Sequence, residues 1–247
     1  MRTDYERLAE RYDEDRARWS VPKDAVVTAL AESRELLRVL DLGCGTGRWL
    51  DAQRGAFGDA NIAWLGIDPS SGMLDEARTK GIANLMRGRA ENLPLADAAV
   101  DYVVTNYAFH HFEDKERALD EIARVLTSPG VFGLNNMEPA AADGWWLYEF
   151  FPEAIEVDAA RFWPADRIAG ALEARAFDVD VNLDAGVGET AASEALAEAQ
   201  RRVVSQLALL DDSSYERGLG RLREVAASPG ATMTNPRSRL RLLARRT

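Results

Sequence analysis

Cysteine and histidine are nearly absent from this sequence. Its 247 residues include one cysteine, Cys44, and two histidines. A single cysteine cannot form an intramolecular disulfide or supply the clustered thiolates of a structural zinc site. We therefore expect no disulfide framework, no cysteine metal site and no metal in the function. Cys44 is expected to pack within its loop and not to act as a nucleophile.

Long apolar runs and positive charge are also scarce. No stretch approaches the roughly 18 apolar residues of a membrane-spanning helix, and the sequence starts with polar residues and no apolar signal region. Asp and Glu outnumber Lys and Arg by 41 to 30, which gives a formal net charge of -11. Nucleic acids and anionic membranes are bound by clustered Lys and Arg, so this balance disfavours both. We expect a cytoplasmic protein with a small-molecule partner, and a homodimer stays open.

The most informative motif joins an apolar strand to a helix through three glycines. Residues 39–47 read Val-Leu-Asp-Leu-Gly-Cys-Gly-Thr-Gly, and a second strand ends in Gly-Ile-Asp at 66–68. Glycines let backbone N–H groups approach a ligand closely, and Asp68 at a strand end can accept from a ribose diol. Asp41, before the turn, would repel a pyrophosphate and attract an ammonium group. The pattern predicts a nucleoside site, with an ordinary strand-to-helix turn as the alternative.

Strands and helices alternate along the middle of the chain, as they do in a parallel sheet. Helices are predicted to begin after Gly47, at Ser71, at Asp114 and near Pro164. The sixth strand alternates apolar and polar residues, which is typical of a sheet edge. The predicted strands are 38–42, 62–67, 83–87, 99–105, 130–136, 177–183 and 238–244.

Four motifs, in order, resemble those of the class I S-adenosylmethionine-dependent methyltransferases, and in particular their type 11 small-molecule group. Beyond the glycine loop and Asp68, these are Gly-Arg-Ala-Glu-Asn-Leu-Pro at 88–94, Asp-Tyr-Val-Val-Thr-Asn at 101–106 and Ala-Phe-His-His-Phe at 108–112. The resemblance covers residues 38–136. It implies an α/β, doubly wound, Rossmann-like seven-stranded sheet whose last strand is antiparallel, with helical insertions.

The resemblance also implies a domain organisation. Residues 1–36 would form an N-terminal helical lid, and residues 37–247 the methyltransferase domain. Two segments lie outside the minimal fold: an aromatic insertion at 137–163 and a helical insertion at 184–236, which is either a cap or a dimer surface.

The cofactor that the resemblance implies is S-adenosylmethionine, with S-adenosylhomocysteine as the product. The glycine loop would face the methionine moiety, Asp68 the ribose, and Pro69 with Met73 the adenine. Position 89 is often Asp or Ser in similar enzymes, but Arg89 cannot accept a hydrogen bond, so Glu91 or a backbone carbonyl would read the adenine edge. Tyr12 and Arg16 would bind the cofactor's carboxylate or else pack on the core. The implied cofactor-binding residues are Asp41, Gly43, Cys44, Gly45, Thr46, Gly47, Asp68, Pro69, Met73, Ala90, Glu91, Asn106, Tyr12 and Arg16.

Two further groups are candidates for the acceptor side. His110 and His111 follow the fourth strand, where the resemblance places the methyl group, and are the best candidates for a general base. The alternative is that one histidine packs under the loop and the other faces solvent. Aromatic residues of the 137–163 insertion would form either a substrate wall or the core of that insertion; the substrate candidates are Trp145, Trp146, Phe150 and Trp163.

The function predicted from these features is transfer of a methyl group to a small-molecule acceptor, at O, N or C, by direct in-line displacement. A sulfonium is already a strong electrophile, so the protein's main task is to hold the acceptor in line and exclude water. Three alternatives remain open: a cofactor-binding protein without turnover, an enzyme that modifies the cofactor itself, and a macromolecule methyltransferase.

Overall fold

A computed structural model describes residue 13, residues 20–202 and residues 204–247. Within this part of the chain there are two compact units. The sheet unit holds Asp13 and residues 20–136, 166–182 and 241–247, and the helical unit holds residues 137–165 and 183–240.

A seven-stranded sheet runs in the order β3-β2-β1-β4-β5-β9-β6, and its last strand, β9, is antiparallel. All seven predicted strands are present, so the predicted Rossmann-like α/β fold is confirmed. A separate antiparallel pair, β7 with β8, was not predicted. The strands are β1 Leu37–Leu42, β2 Ile62–Asp68, β3 Leu85–Arg87, β4 Val100–Asn106, β5 Leu126–Met137, β6 Phe177–Gly186, β7 Glu189–Ala191, β8 Thr232–Thr234 and β9 Arg237–Arg246.

Helices follow the strands at the predicted places. Gly47 is the N-cap of α2, and the side chains of Ser70 and Asp114 cap α3 and α4 by accepting backbone N–H groups. Such caps satisfy amide groups that lack a partner within the helix. The helices are α1 Ala25–Ala31, α2 Arg48–Phe57, α3 Ser71–Thr79, α4 Lys115–Val125, α5 Trp146–Phe150, α6 Glu153–Arg161, α7 Ala165–Glu173, α8 Ala192–Arg201, α9 Ser205–Ala208 and α10 Asp212–Ala226.

The central strands β1 and β4 are almost completely buried, as a parallel sheet covered on both faces requires. They pair in parallel, so Asp41 lies opposite Gly66 of β2 on one side and Val104 of β4 on the other. Val27 of α1 packs into the same core as Leu37 and Val39. This part of the predicted N-terminal lid is therefore built into the sheet unit.

One acid of the 101–106 motif, Asp101, serves the fold. Asp101 is 0% exposed at the start of β4, and its carboxylate accepts from the Arg34 and Arg38 guanidinium groups at 2.8 and 3.0 Å. The Arg38 side-chain and backbone hydrogen bonds, with the Arg34 charge, hold the pKa of Asp101 below its ordinary value despite burial. Asp101 therefore ties β4 to β1 at the end of the sheet opposite the glycine loop.

The two predicted insertions share one hydrophobic core within the helical unit. Phe151 of the aromatic segment stacks on Tyr215 of α10 with ring centroids 6.1 Å apart. Gly218 lets the two segments approach, since a Cβ there would lie 2.4 Å from a ring carbon of Phe151. The buried members of this core are Trp146, Leu147, Phe150, Phe151, Ala154, Ala192, Ala195, Ala199, Leu207, Leu210, Tyr215, Leu219, Leu222 and Met233.

The sixth strand lies at the edge of the sheet, as its alternation predicted. Phe177 is buried, but Val181 and Leu183 of the same face are 41% and 45% exposed. The predicted buried face is thus limited to the start of the strand, and the homodimer stays a prediction.

Candidate active site

The glycine loop is held on the end of strand β2. The amide groups of Gly43 and Cys44 both donate to the carbonyl oxygen of Ile67, at 2.8 and 3.1 Å. The backbone φ angles of Gly43, Gly45 and Gly47 are +76°, +52° and +71°. All three lie in the left-handed region that favours glycine. The backbone conformation of the loop therefore favours glycine at positions 43, 45 and 47.

Two of these glycines are packed, and the third is open. A Cβ at Gly43 would lie 2.5 Å from the Cβ of Ala108, and one at Gly47 would lie 2.3 Å from Cδ1 of Ile82. At Gly45 the nearest atom is Sδ of Met73, 4.0 Å away. Gly45 therefore leaves room on the side of Met73, which the sequence predicts to flank an adenine.

Asp68 connects the loop to the strand that carries it. Its Oδ2 accepts from the amide of Gly45 at 2.8 Å, and its Oδ1 accepts from the amide of Ser70 at 2.9 Å. The residue is 8% exposed. A carboxylate in this position orients the loop on the end of β2.

Asp41 is a buried acid with an unsatisfied oxygen. It is 2% exposed, and no hydrogen-bond partner of its Oδ1 is found among the described residues. Burial and the nearby Asp68 carboxylate raise the pKa of Asp41 to about 8, against the opposing effect of the Asn106 amide. A cation placed against Asp41 would reverse this shift, which is the electrostatic environment that an ammonium group requires.

Asn106 extends this polar cluster to the neighbouring strands. Its Oδ1 accepts from Nδ2 of Asn135 at 2.8 Å, while its own buried Nδ2 has no partner in the described part of the chain. Asp41 lies opposite Val104, two residues before Asn106, so Asp41 and Asn106 lie on one face of the sheet. The ends of β1 and β4 thus bring Asp41 and Asn106 close together. Oδ1 of Asp41 is an acceptor and Nδ2 of Asn106 is a donor, and neither has a hydrogen-bond partner among the described residues.

Met73, one of the residues expected around an adenine, lies beside Gly45 of the loop. Met73 and Ala90 are buried, at 2% and 4% exposure. Pro69 is exposed, and its carbonyl accepts from Nε of Arg87 at 3.0 Å. Packing of an adenine against Pro69, Met73 and Ala90 stays a prediction.

Glu91 has a structural contact that its sequence motif does not reveal. Its Oε1 accepts from the amides of Glu113 and Asp114, at 2.6 and 3.3 Å, just before α4. Arg89 forms an ion pair with Glu113 at 2.7 Å. Recognition of adenine by Glu91 stays a prediction, and these contacts favour the alternative in which a backbone carbonyl reads the adenine edge.

Thr46 and Cys44 complete the loop. Thr46 Oγ1 donates to Oδ1 of Asp13 at 2.7 Å, and Lys80 Nζ contacts both Oδ2 of Asp13 and the carbonyl oxygen of Thr46 at 2.7 Å. Sequence reasoning missed Lys80, because its contacts join residues far apart in the chain. Burial and the Asp41 and Asp68 carboxylates raise the pKa of the Cys44 thiol, so its thiolate is disfavoured.

Tyr12 and Arg16 lie outside the described residues, and their predicted contacts with the cofactor stay predictions. Asp13, which stands between them, is described. Its two contacts show that the N-terminal segment reaches the glycine loop at this residue.

The two histidines lie in a short 3-10 helix, Phe109–His111, after β4. Tyr107 precedes it with a φ of +53°, an uncommon conformation for a non-glycine residue that turns the chain at the strand end. His110 is 7% exposed, and its Nδ1 lies 3.1 Å from Oδ1 of Asn136. The rings of His110 and His111 are in contact, with centroids 3.9 Å apart.

The aromatic candidates for the acceptor side lie in the helical unit. Trp146 and Phe150 belong to its core, at 1% and 7% exposure, and Trp145 packs edge-on against Trp146 with centroids 6.3 Å apart. Trp163 is partly buried. The burial of Trp146 favours the core alternative for that residue, and the substrate wall stays a prediction for the group.

The described residues include neither a metal-binding cluster nor a helix that could cross a membrane. They contain no group of three or more His, Cys, Asp and Glu side chains arranged to hold a metal ion. None of their helices combines the length and the apolar character needed to span a membrane.

Comparison with known proteins identifies a methyltransferase domain. A family model described as a methyltransferase domain matches residues 40–134. The uncharacterized methyltransferase YcgJ of Bacillus subtilis is 32% identical over 136 residues, which are 53% of this chain and 52% of that protein. The ubiquinone/menaquinone biosynthesis C-methyltransferase UbiE of Campylobacter jejuni is 36% identical over 99 residues, 38% of this chain and 42% of that protein. The matches thus span about half of these relatives or less.

A solved structure shares the fold over most of the chain. It is a putative methyltransferase from an antibiotic biosynthesis pathway of Anabaena variabilis, with a TM-score of 0.68, covering 90% of this chain and 97% of that one. Its sequence identity of 24% supports likeness of fold alone. Residues 40–134 thus match a methyltransferase domain in sequence, and the fold is that of a solved methyltransferase structure.

Proposed function

We propose that this protein binds S-adenosylmethionine at the glycine loop and transfers its methyl group to a small-molecule acceptor. The observation that carries the proposal is the buried, partly unsatisfied carboxylate of Asp41 near Asp68, whose own carboxylate accepts from the Gly45 amide. An acid in that position is costly without a cation. The amino group of a methionine moiety is a cation of suitable size.

The residues present fit the other parts of this cofactor. Asp68 would accept from a ribose diol, and Pro69 and Met73 would lie against the adenine. When bound, the sulfonium group supplies an electrophilic methyl carbon. The chain's own residues hold this group, exclude water and orient the acceptor's attacking atom. We propose that no metal takes part.

A small acceptor is favoured over a macromolecule. The net charge of -11 provides no basic groove for a nucleic acid, and the name of the UbiE relative refers to quinone biosynthesis. The acceptor atom, O, N or C, is left open by these observations.

The proposal is tested by calorimetric titration of the full-length protein with S-adenosylmethionine, S-adenosylhomocysteine and NAD. We expect one site per chain for the first two ligands and no heat with NAD. Binding of NAD without binding of the adenosyl ligands would contradict the proposal. Binding of S-adenosylmethionine without its conversion in the presence of a broad panel of small acceptors would support the alternative of a protein that only binds the cofactor.

Replacing Asp68 tests whether its carboxylate contributes to ligand affinity and not only to the stability of the fold. Hydrogen bonds to a charged group are worth about 1.5 to 3 kcal/mol, so we expect Asp68→Ala to weaken S-adenosylhomocysteine binding by roughly 10- to 150-fold. Ser70→Ala is the matched control, because Ser70 caps α3 at the Met73 amide and has no predicted ligand contact. It should lower the free energy of unfolding by about 1 kcal/mol and leave affinity unchanged. Equal affinities for both variants would exclude Asp68 from the site.

Lys80 should couple the N-terminal segment to the glycine loop. Its ion pair with Asp13 is partly exposed, so Lys80→Met is expected to weaken cofactor binding only about 2- to 5-fold. Faster hydrogen exchange should appear at the loop amides at 43–47. Arg78→Met, which removes an exposed ion pair with Asp75 on the same helix, is the control and should change neither quantity. Unchanged exchange in Lys80→Met would show that the loop is held without this contact.

A further inference from the structure

We infer that Asn135 is a positioning residue that directs the side-chain amide of Asn106 toward Asp41. The inference rests on the proposed function, in which Asp41 holds the cofactor's amino group, and extends it to a residue outside the four sequence motifs. Asn135 lies near the end of β5, and its Nδ2 donates to Oδ1 of Asn106 at 2.8 Å. It therefore acts on Asp41 through Asn106 and not by a contact with the ligand.

The strand order places Asn106 between the other two residues. Strand β4 lies between β1 and β5 in the sheet. Asn106 lies opposite Asn135, and Asp41 lies opposite Val104, two residues before Asn106. Side chains two residues apart in a strand share a face of the sheet. Asp41, Asn106 and Asn135 therefore form a row across three neighbouring strands on one face.

The contact with Asn135 sets the orientation of the Asn106 amide. A side-chain amide has an acceptor oxygen and a donor nitrogen on different sides of its carbon. Because Oδ1 of Asn106 is held toward β5, its Nδ2 is directed toward β1 and Asp41. The reverse orientation would turn the Asn106 oxygen toward the Asp41 carboxylate, and two acceptors repel each other. Neither Nδ2 of Asn106 nor Oδ1 of Asp41 has a hydrogen-bond partner in the described part of the chain, so a hydrogen bond between them would satisfy both.

The backbone of Asn135 also fixes the end of β4. Its carbonyl oxygen accepts from the amide of Tyr107 at 2.7 Å. Tyr107 follows Asn106 and has a φ of +53°, so the chain turns at this point. Asn135 thus holds Asn106 through the Asn106 side chain and through the next backbone amide. Groups that are held in place before a ligand binds cost less to order on binding.

A donor directed at Asp41 favours its ionised form. Burial and the Asp68 carboxylate raise the pKa of Asp41, and the Asn106 amide opposes them. Cys44 and Tyr102 are further titratable groups near Asp41, and burial raises the pKa of both, so both stay neutral. None of these groups is a cation. The amide that faces Asp41 therefore favours the negative charge that a ligand cation requires.

The test is carbon-13 nuclear magnetic resonance of the aspartate carboxyl groups in the full-length, ligand-free protein. Asp41→Asn assigns the Asp41 signal, which should titrate near pH 8 in the wild type. Asn135→Leu has a similar volume and no donor. We expect it to raise the Asp41 midpoint by about one pH unit, since a hydrogen bond to a charged group shifts a pKa by about that much.

Two further variants separate positioning from packing. Asn135→Gln keeps an N–H donor and should titrate near the wild-type midpoint. Asn84→Leu makes the same change as Asn135→Leu at an exposed amide before β3, which donates to the carbonyl oxygen of Trp64 at 3.2 Å. It should leave the Asp41 midpoint unchanged. An unchanged midpoint in Asn135→Leu, or an equal shift in Asn84→Leu, would overturn the inference.

A measurement on the wild type decides the matter if Asn135→Leu does not fold. The side-chain amide signals of Asn106, assigned with Asn106→Leu, should change with the same midpoint as the Asp41 carboxyl signal. Amide signals that do not respond to this titration would overturn the inference. No cofactor is needed for either measurement. Failure of the inference is therefore distinct from failure of the proposed function, which the titration with adenosyl ligands tests.

Discussion

Gly43→Ala is expected to destabilise the protein by about 2 to 5 kcal/mol. A left-handed conformation costs a residue with a Cβ about 1 to 2 kcal/mol, and overpacking adds about 1 to 3 kcal/mol. Both apply here, because φ is +76° and the new methyl group would lie 2.5 Å from the Cβ of Ala108. Denaturant unfolding monitored by circular dichroism measures the loss.

Gly45→Ala is the matched control within the same loop. Its φ of +52° gives a similar backbone cost, but the nearest atom to the new methyl group is 4.0 Å away. We expect a loss of about 1 to 2 kcal/mol in the free energy of unfolding. The methyl group would occupy space proposed for the ligand, so S-adenosylhomocysteine binding should fall by at least about tenfold, near 1.4 kcal/mol. Equal destabilisation by both variants, with affinity unchanged in Gly45→Ala, would show that the loop does not face the ligand.

Asp41→Asn is expected to stabilise the ligand-free protein and to weaken cofactor binding. The folded-state pKa of Asp41 is about 8, against an ordinary value of 3.8. Between these values the folded protein binds a proton that the unfolded chain has released. The contribution of Asp41 to stability is therefore fully present below about pH 4 and is lost as pH rises to about 8.

Comparing the wild type with Asp41→Asn isolates the contribution of Asp41 to the pH dependence of stability. Wild-type stability should fall relative to Asp41→Asn by about 1.4 kcal/mol for each pH unit between pH 5 and pH 7. With ligand the order reverses, because asparagine cannot form a charge-assisted bond to an ammonium group; affinity should drop roughly 10- to 150-fold. Parallel stability curves for the two proteins would contradict the assignment of Asp41 as a buried, uncompensated acid.

The sequence was most informative where local backbone geometry decides the residue type. The glycines at 43, 45 and 47 are required by their φ angles, and the helix starts after Gly47, Ser70 and Asp114 follow from capping chemistry. Asp41 and Asp68 end adjacent parallel strands, so their proximity could be inferred from strand order. These local rules and the family motifs predicted the sheet, and the cofactor site that they outline stays a prediction.

Contacts between distant segments were not predictable in the same way. Asn136 meets His110 because β5 lies next to β4, yet an Asn-Asn pair at a strand end carries no distinctive signal. Lys80 meets Thr46 only after the loop and the end of α3 fold together. The motif predicts a ligand contact for Glu91 but gives no sign of the contact between its carboxylate and the backbone amides before α4.

The helical unit shows a second limit of sequence patterns. Helical spacing in the 184–236 segment indicated helices but not what they pack against. The aromatic residues of the 137–163 segment suggested either a wall of the substrate site or the hydrophobic core of the insertion. The structure joins these segments through buried contacts such as Phe151 with Tyr215, and pair contacts of this kind are set by tertiary packing.

The most direct test of the central claim is a crystal structure of the full-length protein with S-adenosylhomocysteine. We predict that the ligand's amino group lies within hydrogen-bond distance of Asp41 Oδ1 and that both ribose hydroxyl groups contact Asp68. The adenine should pack between Pro69 and Met73. A ligand bound elsewhere, with Asp41 still buried and without a cationic partner, would contradict the account.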